Sequence, residues 1–145
     1  MKTKLLGFIL LLFLSVNFVN AQSKVYAADG LTGKKSSKVL YYIDAKGVVY
    51  AADGLTGKKS NKILRYIEND GTVYAADGLT GKKTKKILRY VDGSKVYAAD
   101  GLTGKKTKKV LRYIDGSKVY AADGLSGKKS DKVLRHYEGN KKPDW

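Results

Sequence analysis

The sequence predicts an all-β protein made of five tandem β-hairpins of 23–24 residues, closed into a ring with pseudo-five-fold symmetry. Three observations carry that expectation. The phrase VYAADGLTGKK begins at Val25 and returns nearly unchanged at Val49, Val73, Val96 and Val119, with periods of 24, 24, 23 and 23 residues. A strict period in this range marks a repeat architecture. Each copy also holds two strand-length runs of β-branched and aromatic residues with turn-forming residues between them. Finally, the copies are integral in number and have no separate capping segments. An open solenoid needs distinct caps, whereas a closed ring leaves no long edge to protect.

Residues 1–21 read as a secretory signal peptide: Lys2 and Lys4 precede an apolar run from Leu5 to Leu14, and the small-residue site Val19-Asn20-Ala21 follows. The run is short for a membrane span. Cleavage after Ala21 is therefore expected to leave residues 22–145 as a single domain, secreted or periplasmic, with no transmembrane span in the mature chain. Cysteine is absent, which excludes both a disulfide scaffold and an acylated lipoprotein. A chain of this size can still bury about two-thirds of its unfolded surface in one core.

In the first copy, Lys24-Val25-Tyr26-Ala27-Ala28 forms the first predicted strand. The turn Asp29-Gly30-Leu31-Thr32-Gly33 follows, with two glycines expected to supply positive φ and the Asp and Thr side chains to bond local amides. The second strand is Val39-Leu40-Tyr41-Tyr42-Ile43, recurring as Ile63–Ile67 and Val110–Ile114. Short connections return the chain to the next copy: Asp92-Gly93-Ser94-Lys95 and Asp115-Gly116-Ser117-Lys118 in the later copies, Asp44–Val48 and Glu68–Thr72 in the first two. The one-residue change of period falls at these connections, as a surface turn tolerates. The repeats are thus 25–48, 49–72, 73–95, 96–118 and 119–142. A lone hairpin is barely stable in water, so the five must pack together.

The export signal, the five tandem hairpins, the VYAADG strand and the TGK turn together resemble the five-fold β-flower proteins, a family of small secreted bacterial proteins. The resemblance covers Val25 to Glu138. It implies a five-petalled β assembly around a pseudo-five-fold axis and brings no established activity with it. The basic segment KKSSK is long for such a petal, which leaves the start of the second strand open.

Reaction chemistry fails on inventory. The one histidine, His136, stands where Tyr42, Tyr66, Tyr90 and Tyr113 stand in the other copies, and reads as an aromatic replacement. No second histidine, cysteine or clustered carboxylate pair accompanies it, so no catalytic residue is assigned and the protein is expected not to be an enzyme. Asp29, Asp53, Asp77, Asp100 and Asp123 are too isolated, and too close to lysines, to gather the six to eight oxygens calcium needs. No metal or other cofactor is expected. Tyr26, Tyr50, Tyr74, Tyr97 and Tyr120 are read as filling hairpin interfaces, with the small Ala27-Ala28 pair suited to a crowded centre.

Lysine is the feature that exceeds scaffold needs. Removing Lys2 and Lys4 from the 29 basic residues leaves 27 against 13 acidic ones, a formal +14. Each copy carries Gly-Lys-Lys-x-x-Lys after its turn, at one phase of the repeat and therefore at one level of a ring. The predicted crown comprises Lys34, Lys35, Lys58, Lys59, Lys82, Lys83, Lys85, Lys105, Lys106, Lys108, Lys128 and Lys129, with Lys38, Lys62, Lys86, Lys109 and Lys132 beside it. A ring of weak cationic sites suits an extended polyanion such as acidic polysaccharide, lipopolysaccharide or an anionic surface. Sequence-specific nucleic-acid binding is not expected, because no base-reading motif occurs. The alternative is a structural or assembly module of the cell envelope whose charge serves solubility.

Overall fold

The computed structural model describes residues 22–144; the expected signal peptide, residues 1–21, and Trp145 lie outside the described residues. Ten strands alternate short and long: β1 (Ser23–Ala28), β2 (Lys35–Ile43), β3 (Val48–Ala52), β4 (Lys59–Ile67), β5 (Thr72–Ala76), β6 (Lys83–Asp92), β7 (Lys95–Ala99), β8 (Lys106–Asp115), β9 (Lys118–Ala122) and β10 (Lys129–Glu138). Every strand pairs antiparallel with its chain neighbours, and β1 pairs with β10, so the sheet is a closed barrel of five hairpins. The segment KKSSK belongs to the sheet: the long strands begin at its second lysine, four residues earlier than the Val39 start read from the sequence.

Strand alternation sorts each copy into an inner and an outer face. Val25, Val49, Val73, Val96 and Val119 are fully buried inside, and the first three pack with Tyr41, Ile43 and Ile67 in one core cluster. Ala27 and its counterparts share that inner face, directly opposite the seventh residue of a long strand: Ala51 faces Tyr41, Ala75 faces Arg65 and Ala98 faces Arg89. Ala28 and its counterparts lie on the outer face. In the register of β3 with β4, Val49 pairs Arg65 but Tyr50 pairs Ile63, so Leu64 is an extra, bulged residue. A second irregularity lies between Tyr50 and Ala52, where the Ser60 hydroxyl donates to the Ala51 carbonyl at 2.9 Å. Thr84, Thr107 and Ser130 repeat that bond. Such bulges bend the longer strand over its shorter partner, which gives each hairpin the curvature of a petal.

The petals overlap in one direction. Tyr42 donates its hydroxyl hydrogen to the carbonyl of Gly57 in the next copy at 2.6 Å, and Tyr66, Tyr90 and Tyr113 do the same to Gly81, Gly104 and Gly127. His136 completes the circle, its Nε2 lying 2.8 Å from the carbonyl oxygen of Gly33 in the first copy. The histidine thus stands in the tyrosine's place in the strap between petals.

The connections at the opposite end explain the change of period. Gly93-Ser94 and Gly116-Ser117 are two-residue turns, with φ of 59° and 56° at the glycines. The Ser94 and Ser117 carbonyls accept from Ile114 and Tyr137 in the following long strand. In the longer connections Gly47 and Gly71, at φ of 83° and 85°, present that carbonyl instead, to Ile67 and Val91 at 2.8 Å. The extra residue is absorbed without losing the contact between petals.

Candidate functional site

The five turns between short and long strands form one rim of the barrel, because hairpins of a closed ring point the same way. In the first, Asp29 Oδ1 accepts from the N–H of Leu31 at 3.1 Å, the N–H of Thr32 at 2.7 Å and the Thr32 hydroxyl at 2.8 Å. These bonds hold the Asp29 carboxyl below its ordinary value, the Thr32 amide contributing most. The other rim aspartates are lowered in the same way. Only the second glycine of each turn takes positive φ, 66° at Gly33. The expectation that both do fails for Gly30, Gly54, Gly78, Gly101 and Gly124. A single left-handed residue suffices once the Gly33 N–H bonds the Asp29 carbonyl at 2.8 Å.

All twelve lysines of the sequence-derived crown sit at this end of the barrel, in two groups. Lys34, Lys58, Lys82, Lys105 and Lys128 follow the turns, are exposed and make no ion pair among the described residues; Lys85 and Lys108 are exposed likewise. The second lysine of each pair lies down on the outer face. Lys35, Lys59, Lys83, Lys106 and Lys129 stand over the rings of Tyr26, Tyr50, Tyr74, Tyr97 and Tyr120, at 4.1, 4.3, 5.0, 4.8 and 4.3 Å from the centroids. Ala28 and its counterparts, opposite these lysines in the ladder, leave room for the stem.

Four of these five also reach a carboxylate at the end of the preceding petal's long strand. Lys83 meets Glu68, Lys106 meets Asp92 and Lys129 meets Asp115, each at 2.7 Å, and Lys35 meets Glu138 across the seam. The carboxylate hydrogen bond raises each of the four lysines above its ordinary value. Tyrosine, lysine and carboxylate therefore form an outer belt that ties petal to petal, and the predicted interface tyrosines belong to it.

Sequence reasoning missed the barrel interior. Arg65, Arg89, Arg112 and Arg135 occupy the inner face at the place held by Tyr41 in the first copy. The chain beyond β10 folds back into this lumen: the Lys141 N–H donates to Ser23 Oγ at 2.8 Å, and Pro143 and Asp144 are fully buried. Asp144 accepts from Arg65 Nε at 2.9 Å and lies 3.9 Å from Arg89 Nε. Loss of water raises the Asp144 carboxyl above its ordinary value, against the pull of both arginines, and lowers Arg65. Arg112 and Arg135 turn back to the carbonyls of Leu111 and Leu134, at 2.6 and 2.7 Å. The signal was legible: each arginine shares strand parity with an apolar residue two positions on, Ile67, Val91, Ile114 or Tyr137, which puts it on the core face.

Among the described residues, no three His, Cys, Asp or Glu side chains gather as a metal site, and no helix is long and apolar enough to cross a membrane. No known family model, curated protein or solved structure matches the chain.

Proposed function

We propose that this is an exported, non-enzymatic β-repeat protein of the five-fold β-flower kind that binds polyanions through its lysine rim. One observation carries the reading. Five symmetry-related turns hold Lys34, Lys58, Lys82, Lys105 and Lys128 at one rim, exposed and without carboxylate partners among the described residues, while the neighbouring lysines are engaged by the belt. Cations repeated around a ring bind an extended anion with an avidity that no single contact provides. Acidic polysaccharide and lipopolysaccharide are the ligand classes that fit an exported chain.

A second reading is favoured by the belt itself. Lys35, Lys83, Lys106 and Lys129 serve the fold, and a structural module of the envelope would need no more from them. The two readings part on charge reversal. Lys82→Glu with Lys105→Glu should weaken binding to an acidic polysaccharide strongly and leave the melting temperature nearly unchanged. The same reversals at Lys46 and Lys118, at the opposite end, are the control. Affinity of the wild type should fall steeply with salt, by analogy with nucleic acids, where the slope is ~0.7–0.9 per neutralised phosphate. A wild type with no salt-sensitive affinity for any polyanion would leave the structural module standing.

A further inference from the structure

The rim carries a second feature that neither the fold nor the lysines explain. Leu31, Leu55, Leu79, Leu102 and Leu125 are 99–102% exposed, one at each turn tip. The turn does not require them. Its hydrogen bonds run through the Asp carboxylate, the Thr or Ser side chain and backbone amides, with Leu31 contributing only its N–H. The preceding glycines are equally unconstrained: a Cβ on Gly30, Gly54, Gly78, Gly101 or Gly124 would meet nothing within 4 Å, and none takes positive φ. Each tip is thus a slim Gly-Leu projection that the hairpin can dispense with. A single exposed leucine is ordinary. Five at one phase of a closed ring form a repeated apolar rim, with an exposed lysine three residues after each leucine.

We propose that this rim docks on an anionic lipid bilayer, with the five leucines inserted below the headgroups and the flanking lysines at headgroup level. The inference rests on the polyanion reading above and assigns its partner as a membrane surface. Apolar groups pointing inward beside cations that remain in the polar zone is the arrangement by which interfacial segments hold anionic membranes, where burial of apolar area and attraction to lipid charge add together. The other candidate occupant is a second copy, rim to rim. That arrangement would bring two lysine rings against each other, with the rim aspartates already engaged by the amides of their own turns, whereas an anionic bilayer complements the lysines.

The test uses the full exported chain and three variants. In one, all five leucines are changed to Ser (Leu31→Ser and equivalents). In another, Lys34, Lys58, Lys82, Lys105 and Lys128 are changed to Gln. The third carries Leu55→Ser alone. Each is mixed with vesicles of phosphatidylcholine, with vesicles of phosphatidylcholine and phosphatidylglycerol in equal parts, and with soluble polyphosphate. Wild type should bind the mixed vesicles far more tightly than the neutral ones. Burial of one methylene is worth about fourfold in affinity, so Leu55→Ser should lose severalfold and the five-leucine variant on the order of a hundredfold or more. That variant should keep its affinity for polyphosphate, whereas the lysine variant should lose both ligands.

Equal vesicle binding by wild type and the five-leucine variant would overturn the bilayer assignment while leaving polyanion binding intact. Loss of every ligand, polyphosphate included, in the wild type would overturn both. Self-association of the wild type that the leucine substitutions abolish, without vesicle binding, would assign the rim to a second copy instead. Circular dichroism and melting temperature, expected to match wild type, exclude misfolding as the cause.

Discussion

Replacing Asp144 with Asn tests the least expected contact in the molecule. The side chain is 0% exposed and its partner Arg65 only 4%, at 2.9 Å, while Arg89 is 23% exposed and 3.9 Å away. Removing one partner of a fully buried pair costs ~3–5 kcal/mol, because the other charge stays buried without compensation. Two features of the site set the value at the low end. Asparagine keeps an oxygen that can accept from Arg65 Nε, and Arg89 retains enough water that its share is about 1 kcal/mol or less. The expected loss is therefore about 3 kcal/mol, a large part of the ~5–15 kcal/mol a domain of this kind has. It corresponds to a fall in melting temperature of roughly 10 °C.

Urea and thermal unfolding of wild type, Asp144→Asn, Arg65→Gln and the double variant measure it directly. Coupling between 144 and 65 should exceed about 1 kcal/mol, and coupling between 144 and 112 should be smaller, since Arg112 bonds the Leu111 carbonyl. An Asp144→Asn protein within about 0.5 kcal/mol of wild type would refute the argument and leave the buried tail without an anchoring role.

Four further outcomes are expected. Changing the five rim aspartates to Asn should flatten the acid limb of the stability curve: their folded values lie below the ordinary 3.8, so their contribution is present above that pH and is lost as pH falls through the folded values. Equilibrium unfolding between neutral pH and pH ~2 reads this, and an unchanged limb would count against it. Gly71→Ala should destabilise by about 2 kcal/mol or more, since its φ is 85° and the new Cβ would stand 1.8 Å from the Val91 carbonyl oxygen. Gly78→Ala, with open space and no positive φ, should be neutral or stabilising by about 0.5 kcal/mol. Tyr66→Phe removes the hydroxyl bond to the Gly81 carbonyl and should cost about 1 kcal/mol by urea titration; no change would deny the strap an energetic role.

The period and the turn residues made the hairpins and their closure legible, because each copy repeats the same alternation and the same Asp-Gly signals. The strand start at Lys35 was not legible. Lysines rarely open a buried strand, but here the outer face is a tyrosine surface on which a lysine stem can lie. The difference between Lys34 and Lys35 was equally hidden, since it depends on which neighbour's carboxylate reaches across from the preceding petal. Arg65 and its counterparts were visible as a periodic residue but were assigned to neither face of the sheet. What makes the burial of Arg65 and Arg89 tolerable is Asp144, a residue outside every repeat and 79 positions from Arg65.

Closure also governs how the chain must assemble. Nine of the ten strand pairings join chain neighbours, and the four tyrosine straps between petals span only 14 or 15 residues. The pairing of β1 with β10 is different: Tyr26 donates its hydroxyl hydrogen to Glu138 Oε2 across 112 residues. Local hairpins form within microseconds, whereas a contact of such separation carries the loop-closure entropy of nearly the whole domain. Refolding should therefore wait on the seam. When the native barrel opens, it should part first along the same line, with β1 and β10 exchanging their amide hydrogens ahead of the strands at the middle of the chain. The seam carries additional fastenings, Lys35 with Glu138, Ser23 with the Lys141 amide and the buried tail behind them. They act on the one step at which a ring can fail to become a ring.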